Sequence, residues 1–251
     1  TVRQGFGIIT NWDSGVVHPW LSLVYSNGGA LIRDGQAVLD EPAALEAARL
    51  YERLIAAGST DPSMATANAS TTGPYLQHFA NGETAMIIMA NWWQSALRDS
   101  MGDAFEDIAT APIPVGPNGD GPHPVSYAWL TIVNANASAE AQAAAWDFLA
   151  WLNGPESGQG GSSAMGDILM SMGILPSRNS DVAAHLDELS TPFLEGYISQ
   201  LGNAIPFPTL IGGAEATVAV QQALEAMEVG QLTAEQAMEQ ADREVQSILD
   251  R

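Results

Sequence analysis

The sequence contains no cysteine and no lysine, and basic residues are scarce altogether. Without cysteine, the chain cannot form disulfides, thiol nucleophiles, zinc–thiolate sites or iron–sulfur clusters. Only eight residues are basic, all of them arginine, against 29 acidic ones, which gives a net charge of −21. An electric field of this sign repels nucleic acid and anionic lipid surfaces, so binding to either is not expected. We interpret the acidic residues as a solubilising surface.

Long hydrophobic runs are missing as well. No segment approaches the roughly 20 consecutive apolar residues that a membrane helix needs. The N-terminus lacks the charged and apolar regions of a signal peptide, so an export signal is expected to have been removed or never to have been part of this chain. With 251 residues, of which 46% are hydrophobic, the chain can form one large domain or two small ones. These features predict a soluble globular protein.

Local signatures of catalysis and metal binding are also absent. The sequence has no Gly-x-Ser-x-Gly, no His-Glu-x-x-His, no Walker loop and no dinucleotide-binding glycine motif. Its four histidines show no metal-ligand spacing, and the turn at 118–121 lacks the spaced acids and terminal Glu of an EF-hand. We therefore expect no catalytic residue, no metal and no cofactor. A glycoside hydrolase stays open as the enzyme alternative, because its two carboxylates need not be close in sequence.

The segment from Phe79 to Trp93 combines a polar turn, a short apolar run and two adjacent tryptophans. The run from Ala85 to Met89 is too short for a helix and predicts a buried strand. Open α/β sheets place their ligands where a buried strand ends, because backbone donors and side chains converge there. Trp92 and Trp93 therefore lie where a ligand would bind, and the alternative is that both belong to the core, which large aromatic residues commonly fill.

The residues from Gly82 to Met86, Gly-Glu-Thr-Ala-Met, are followed by apolar residues, a small residue and Trp92. This pattern resembles the signature of carbohydrate-binding proteins of ABC importers, the family 1 extracellular solute-binding proteins related to maltose- and trehalose/maltose-binding proteins. The resemblance implies that Trp92 stacks on a sugar ring. It also implies an α/β, periplasmic-binding-protein-like (class II) fold and a protein that captures a mono- or oligosaccharide between two lobes without breaking a bond.

Two further segments resemble the same family and supply more candidate contacts. After a predicted strand at 6–9, the turn from Trp12 to Gly15 would face the sugar cleft with Trp12 and Asp13. A helix that ends in glycines at 28–29 then follows. The run from Val125 to Val133 is predicted as a strand of nine residues. There Ser126 and Tyr127 occupy the positions of a glycine pair, which favours Tyr127 and Trp129 as stacking or hydrogen-bonding walls.

The remaining candidate contacts are single residues. Asn91 precedes Trp92 and would donate a hydrogen bond to the ligand, as would Arg178 in the Gly-x-x-Pro-x-Arg turn. Phe207, between two prolines, resembles a cleft-lining position of the family. Many family members carry Arg before the first of these prolines, where this chain has Ile205, so one common polar contact is absent.

Helix signals recur along the chain. Apolar stripes with start and stop residues predict helices from Asp40 to Gly58, from Ser138 to Gly154, from Asp181 to Gln200, and from the capping box Thr233-x-x-Gln236 onwards.

The resemblance covers nearly the whole chain but only the latter part of a family member. Residues 1–132 and 184–251 are assigned to the second, C-terminal lobe, and residues 133–183 to the first, N-terminal lobe, which is otherwise largely missing. The expected partners are a saccharide and the permease subunits of an ABC transporter, and the expected location is the periplasm or, as a lipoprotein, the outer face of the cell membrane. Exposed first-lobe helices are expected to let this fragment self-associate. A non-catalytic carbohydrate-binding or adhesion module is the other alternative.

Overall fold

The computed structural model describes residues 1–70, 73–155 and 157–251, which form many helices and few, short strands. The helices are α1 (Asp13–Tyr25), α2 (Pro42–Ala56), α3 (Gly73–Ala80), α4 (Gln94–Met101), α5 (Ala139–Leu152), α6 (Ala164–Ser171), α7 (Asn179–Ala184), α8 (Leu186–Leu189), α9 (Pro192–Ile198), α10 (Gly213–Glu228) and α11 (Ala234–Leu249). The strands are β1 (Gln4–Phe6), β2 (Ile32–Arg33), β3 (Gln36–Ala37), β4 (Thr84–Met86), β5 (Val125–Ser126) and β6 (Ile205–Pro206). Short 3-10 turns lie at Pro62–Met64, Asn91–Trp93, Gly102–Asp107 and Leu201–Asn203. This helix-rich α/β content agrees with the predicted class.

The chain divides into two compact units. Unit 1 comprises Thr1–Met89, Ala111–Tyr127 and Gln200–Arg251, and unit 2 comprises Ala90–Thr110 and Ala128–Ser199. Residues 133–183 lie entirely within unit 2, and their assignment to a first lobe of the family stays a prediction. Within the described residues, no helix has both the length and the apolar character needed to cross a membrane.

The core of unit 1 is built around α1. This helix is apolar on nearly every side, and Val17, Trp20 and Leu21 are completely buried. Helices α2 and α10 pack against it and against each other, and α11 packs against both of them. The capping box that starts α11 is present as predicted, since the Thr233 side chain accepts from the Gln236 backbone and the Gln236 side chain accepts in return.

The strands form three separate pairs within the described residues, so each strand has a hydrogen-bonded neighbour on one edge only. β1 pairs with β4 in parallel, β2 with β3 antiparallel, and β5 with β6 in parallel. The prediction of a buried strand from Ala85 to Met89 is wrong: β4 ends at Met86, whose side chain is 60% exposed. Among the described residues, β1 is the only strand that pairs with β4, so the other edge of β4 has no neighbouring strand.

The nine-residue strand predicted from Val125 to Val133 is also wrong. Only Val125 and Ser126 pair with a neighbouring strand, and Leu130 and Ile132 are each 83% exposed. Strand propensity describes how a side chain fits a half-buried sheet. In the part of the chain that the structure describes, no strand lies beside the run after Ser126 for these residues to join.

Helix boundaries differ from the predictions at two places. The predicted turn at Trp12 is an N-cap, because α1 already begins at Asp13. The single helix predicted from Asp181 to Gln200 is divided into α7, α8 and α9. Pro192 explains the last division, since proline lacks the backbone N–H of a helix interior and suits a first turn. The predicted helices α2 and α5 are confirmed, the latter capped by Ser138.

The loop at 116–124 is fastened to the C-terminal end of α1. Asn118 N donates to Asn27 Oδ1 at 3.0 Å, and His123 N donates to Ser26 Oγ at 2.8 Å. A Cβ atom on Gly119 would lie 2.0 Å from the Ser26 carbonyl oxygen, so glycine permits the backbones to approach this closely. The loop thereby fixes where β5 begins.

This close approach predicts that Gly119→Ala destabilises unit 1. Because the clash is between a new methyl group and backbone, we expect the free energy of unfolding to fall by about 1–3 kcal/mol, as for other overpacked sites. Urea denaturation followed by circular dichroism measures the change. Gly121→Ala is the matched control, since the nearest atom to its Cβ would be 3.9 Å away. Equal stability of the two variants would contradict the prediction.

Candidate functional site

Three aromatic side chains from three elements of unit 1 meet at one place. The imidazole of His18, on α1, has its centroid 4.9 Å from the ring of Tyr127 and 4.8 Å from that of Phe207. The interplanar angles are 50° and 52°, so both rings are tilted against the imidazole. We call these three residues the His18 cluster. Tyr127 and Phe207 were predicted as ligand contacts from sequence, whereas His18 was not.

Backbone pairing brings the two outer rings of the His18 cluster together. In the parallel pair of β5 and β6, Val125 is opposite Ile205, and Phe207 N donates to Ser126 O at 2.9 Å. Tyr127 and Phe207 therefore follow directly after two hydrogen-bonded strands. These residues are far apart in sequence, and only the pairing places them side by side.

Ser22 links this strand pair to α1. Its Oγ donates to His18 O at 2.8 Å and accepts from Val125 N at 3.0 Å. One hydroxyl therefore ties the turn of α1 that carries the imidazole to the strand that leads into Tyr127. The relative positions of the three rings are set by main-chain hydrogen bonds on each element.

Burial of His18 decides its charge. Desolvation lowers the pKa of this histidine to about 4, although the Asp13 carboxylate raises it in part. The imidazole is consequently neutral at neutral pH, with one nitrogen a donor and the other an acceptor. Neither nitrogen makes a hydrogen bond within the described part of the chain, and neither is among the fully buried polar atoms that lack a partner. Both nitrogens therefore keep access to solvent.

Trp12 and Asp13 lie at the start of α1, on the same helix as His18. The Trp12 indole packs against Gly15, where a Cβ atom would come within 2.3 Å of the ring, and against the core of unit 1. Asp13 Oδ1 accepts from Ser14 N at 2.6 Å. Both side chains are half-buried. The absence of a side chain at Gly15 is what gives the indole its place on the helix.

In unit 2, the structure brings Trp92 and Trp129 into contact. Their ring centroids are 5.2 Å apart at an interplanar angle of 76°, an edge-to-face arrangement. Trp92 is half-buried in the 3-10 turn Asn91–Trp93, and Trp129 is 59% exposed. We call these two residues the Trp92 pair. It presents aromatic surface to solvent beside a polar backbone turn.

Asn91 holds that turn in place. Its Nδ2 donates to Gly173 O at 2.7 Å, and Gly173 has a positive φ of 73°. A Cβ atom on Gly173 would lie 3.4 Å from the Trp92 carbonyl oxygen. One of the two N–H groups of the Asn91 amide is therefore committed to the protein. Its Oδ1 has no partner within residues 1–70, 73–155 and 157–251 and can accept a hydrogen bond.

Arg178 occupies the N-cap position of α7 and is half-buried. Six of the eight arginines form ion pairs with carboxylates. Arg98 instead lies over the ring of Phe105, at 4.8 Å. For the guanidinium of Arg178, the described residues provide no ion pair. In a chain of net charge −21 such an arginine is exceptional, which keeps it among the candidate contacts.

The arrangement that most resembles a catalytic one lies elsewhere in unit 2. Ser162 Oγ hydrogen-bonds Asp167, His185 Nε2 lies 3.0 Å from Asp167 Oδ1, and His185 Nδ1 lies 3.1 Å from Glu188 Oε1. The hydrogen bond to Glu188, supported by that to Asp167, raises the pKa of His185. The buried serine contacts the carboxylate of Asp167 and not the imidazole, so His185 is not placed as its general base, unlike the histidine of a catalytic triad. We interpret the chain of contacts as a clamp between α6, α7 and α8. Within the described residues, no group of three His, Asp or Glu side chains could hold a metal ion.

Comparison with known proteins identifies the family. The model of the family described as bacterial extracellular solute-binding protein matches residues 9–159. The chain belongs to this family. The family resemblance seen in the sequence is thereby confirmed. No curated protein matches the chain significantly.

Solved structures show the same fold. The maltose-bound MalE3 of T. maritima has a TM-score of 0.75 at 21% identity, over 96% of this chain and 60% of that one. MalE of Xanthomonas citri has a TM-score of 0.76 at 17% identity, over 99% of this chain and 58% of that one. UgpB of Mycobacterium tuberculosis, in complex with glycerophosphocholine, has a TM-score of 0.69 at 20% identity, over 100% and 59%. The predicted periplasmic-binding-protein-like fold class is confirmed, and the chain spans about 60% of the length of these proteins.

Proposed function

We propose that the chain is part of the substrate-binding protein of an ABC transporter, which captures a mono- or oligosaccharide in a cleft between two lobes and delivers it to a membrane permease. The observation that carries this proposal is the Trp92 pair. Trp92 follows the Gly-Glu-Thr-Ala-Met sequence within the stretch that matches the family, and it lies edge-on to an exposed Trp129. Two such rings offer a platform for an apolar ligand face.

The chemistry of the candidate residues suits a sugar. The C–H faces of a sugar ring are apolar, whereas its hydroxyls need planar polar partners, so aromatic stacking combined with hydrogen bonds recognises both. Trp92, Trp129 and Tyr127 would supply the faces, with Trp12 and Phe207 as further walls. Asp13, Asn91 and Arg178 would supply hydrogen bonds. Trp12, Trp92 and Phe207 are aromatic and half-buried, so the protein already restrains these side chains and binding a ligand costs less side-chain entropy.

The ligands of similar structures support a saccharide but do not specify one. Maltose is bound to MalE3 of T. maritima, and α-D-tagatose to a solute-binding protein of Thermotoga lettingae. UgpB holds glycerophosphocholine, so this fold also serves ligands that are not sugars. For the present chain, the aromatic character of both candidate clusters and the scarcity of cations favour an uncharged saccharide.

The partners and the location follow from the same proposal. A protein of this kind acts outside the cytoplasm, in the periplasm or tethered by a lipid to the outer face of the membrane, and it docks on permease subunits. The matched family is described as extracellular. The net charge of −21 is compatible with a soluble protein that avoids anionic membrane surfaces.

Calorimetric titration of the full-length protein tests the proposal. The ligands are glucose, maltose, trehalose, maltotriose and glycerophosphocholine, and each sample is afterwards analysed for products. We expect at least one saccharide to bind with a Kd of about 10 μM or lower, roughly −7 kcal/mol, and to be recovered unchanged. Hydrolysis of a saccharide would instead favour a glycosidase. Binding of glycerophosphocholine alone, or of nothing, would contradict a sugar-binding protein.

A further inference from the structure

The His18 cluster contains a polar group, the imidazole of His18, that no described residue of unit 1 hydrogen-bonds. Packing alone would be satisfied by a third apolar ring between Tyr127 and Phe207, yet the chain has an imidazole at centroid distances of 4.9 and 4.8 Å from them. Within the part of the chain that the structure describes, the ring nitrogens of His18 make no hydrogen bond to the protein, and both keep access to solvent. A ligand hydroxyl can therefore take the place of solvent at either nitrogen.

The rings around this imidazole are held in fixed positions and can be reached from solvent. Ser22 and the β5–β6 pairing fix the positions of the three rings through hydrogen bonds of 2.8–3.0 Å. Tyr127 is 41% exposed, so a ligand can reach the cluster from solvent. The arrangement combines an aromatic wall with one polar group between its rings.

We propose that His18 is the specificity-determining contact of this wall: its imidazole hydrogen-bonds a hydroxyl of an uncharged, ring-shaped polyol whose C–H face lies on Tyr127 or Phe207. The inference rests on the proposed function and names a residue and a ligand class within it. The main observation behind it is the position of the His18 imidazole, which makes no hydrogen bond to the described residues and lies against the tilted rings of Tyr127 and Phe207.

The class of ligand follows from the atoms that a neutral imidazole presents. It has one donor and one acceptor, and a hydroxyl also has both, so a sugar hydroxyl satisfies either nitrogen. A carboxylate only accepts, so it can pair with the donor nitrogen alone, and it would lie near the like charge of Asp13. An ammonium group only donates, so it can pair with the acceptor nitrogen alone. Hydroxyl-bearing, uncharged ligands are therefore preferred over charged analogues of the same ring.

Three variants separate the hydrogen bond from packing. His18→Phe keeps a ring of similar size between Tyr127 and Phe207 but removes both nitrogens. His18→Gln keeps one donor and one acceptor without the ring. His78→Phe is the control, because His78 lies on α3 and is engaged with Glu83. Each variant of the full-length protein is titrated with glucose, maltose and trehalose, and with glucosamine and glucuronate as charged analogues, and its melting temperature is measured.

We expect His18→Phe to weaken binding of the uncharged saccharides at least tenfold with an unchanged or higher melting temperature. His18→Gln should recover part of that loss, and His78→Phe should bind like the unchanged protein. Glucosamine and glucuronate should bind at least tenfold more weakly than glucose to the unchanged protein.

Equal affinity of His18→Phe and the unchanged protein would overturn the role of His18 and leave the proposed function standing. Failure of the unchanged protein to bind any of the saccharides would overturn both. If His18→Phe does not fold, unaltered affinity of His18→Ala overturns the inference in its place.

Discussion

Replacing Trp92 by alanine is expected to weaken saccharide binding by about 100-fold or more, the scale of a hot-spot aromatic at the centre of an interface. The free energy of unfolding should fall by no more than about 1 kcal/mol, the typical effect of a single substitution. The physical reason is the position of the indole: it is half-buried in a 3-10 turn, and its aromatic neighbour Trp129 is itself 59% exposed. Such a ring loses ligand contact when truncated, and little core packing.

Calorimetric titration and urea denaturation of the full-length protein measure the two quantities on the same samples. Leu186→Ala is the control, since Leu186 belongs to the same unit and is 57% exposed but lies outside the candidate contacts and outside residues 133–183. Its affinity should not change. A stability loss of about 3–5 kcal/mol for Trp92→Ala, as for a truncated core aromatic, together with unchanged affinity would assign Trp92 to the core.

The features of the fold that were predicted correctly are local ones. An acidic residue followed by proline marks the start of α2, a serine cap that of α5, and a capping box that of α11. Each signal lies within a few residues of the helix that it begins. The glycines after α1 end that helix for an equally local reason, since Gly28 has a positive φ of 76°. Hydrophobic periodicity and helix caps depend only on residues that are close in sequence, so they can be recognised from the sequence alone.

Strands and buried polar groups depend on neighbours that the sequence does not reveal. The apolar run after Val125 has every local property of a strand, yet it pairs for two residues only. Glu228 on α10 is 3% exposed, and burial raises the pKa of its carboxyl well above the usual range. No pattern in the helix distinguishes this glutamate from the exposed ones. Both outcomes are decided by elements far away in sequence.

In the candidate site, too, local features were predicted from the sequence and tertiary contacts were not. Trp92, Tyr127 and Phe207 were each predicted from their local sequence, but their partners were not. The contact of Trp92 with Trp129 and that of Tyr127 and Phe207 with His18 arise from tertiary packing. His18 was missed because the sequence search looked for histidines with metal-ligand spacing, whereas this one lies on an apolar helix with no such partner. A histidine on a largely apolar helix was the available signal.

Helix α5 in unit 2 carries aromatic residues on sides that the unit does not cover. Leu152 is buried, but Trp146, Phe148 and Trp151 are 56–60% exposed, and the rings of Phe148 and Trp151 lie 6.0 Å apart. A helix that is hydrophobic on every side is normally buried on every side. We propose that residues 133–183 belong to the first lobe of the full-length protein, whose remaining part covers these rings, and that a second copy of the chain covers them when the 251 residues stand alone.

The 251-residue chain is therefore expected to self-associate, and Phe148→Ser with Trp151→Ser is expected to make it monomeric. Each ring exposes about 100 Å², judged from the 150–250 Å² that a fully buried aromatic removes from water. Two copies would thus bury roughly 400 Å² through these rings alone, and the exposed Leu130 and Ile132 of unit 2 add to this. An interface of this kind is below the standard size of about 1,600 Å², so the association should appear at micromolar concentrations in analytical ultracentrifugation.

In the full-length protein the same double substitution should act differently, because the rings are then covered. It should lower the free energy of unfolding by at least about 3 kcal/mol, as for truncated core aromatics. The control pair is Ile211→Ser with Val229→Ser, two exposed apolar residues of unit 1 at 98% and 62% exposure, which should change neither association nor stability. A 251-residue chain that stays monomeric at about 100 μM, well above the micromolar range expected of a small interface, would contradict a covered face on α5. So would a full-length protein indifferent to the loss of both rings, because a first lobe packed against α5 cannot lose two buried aromatic side chains without losing stability.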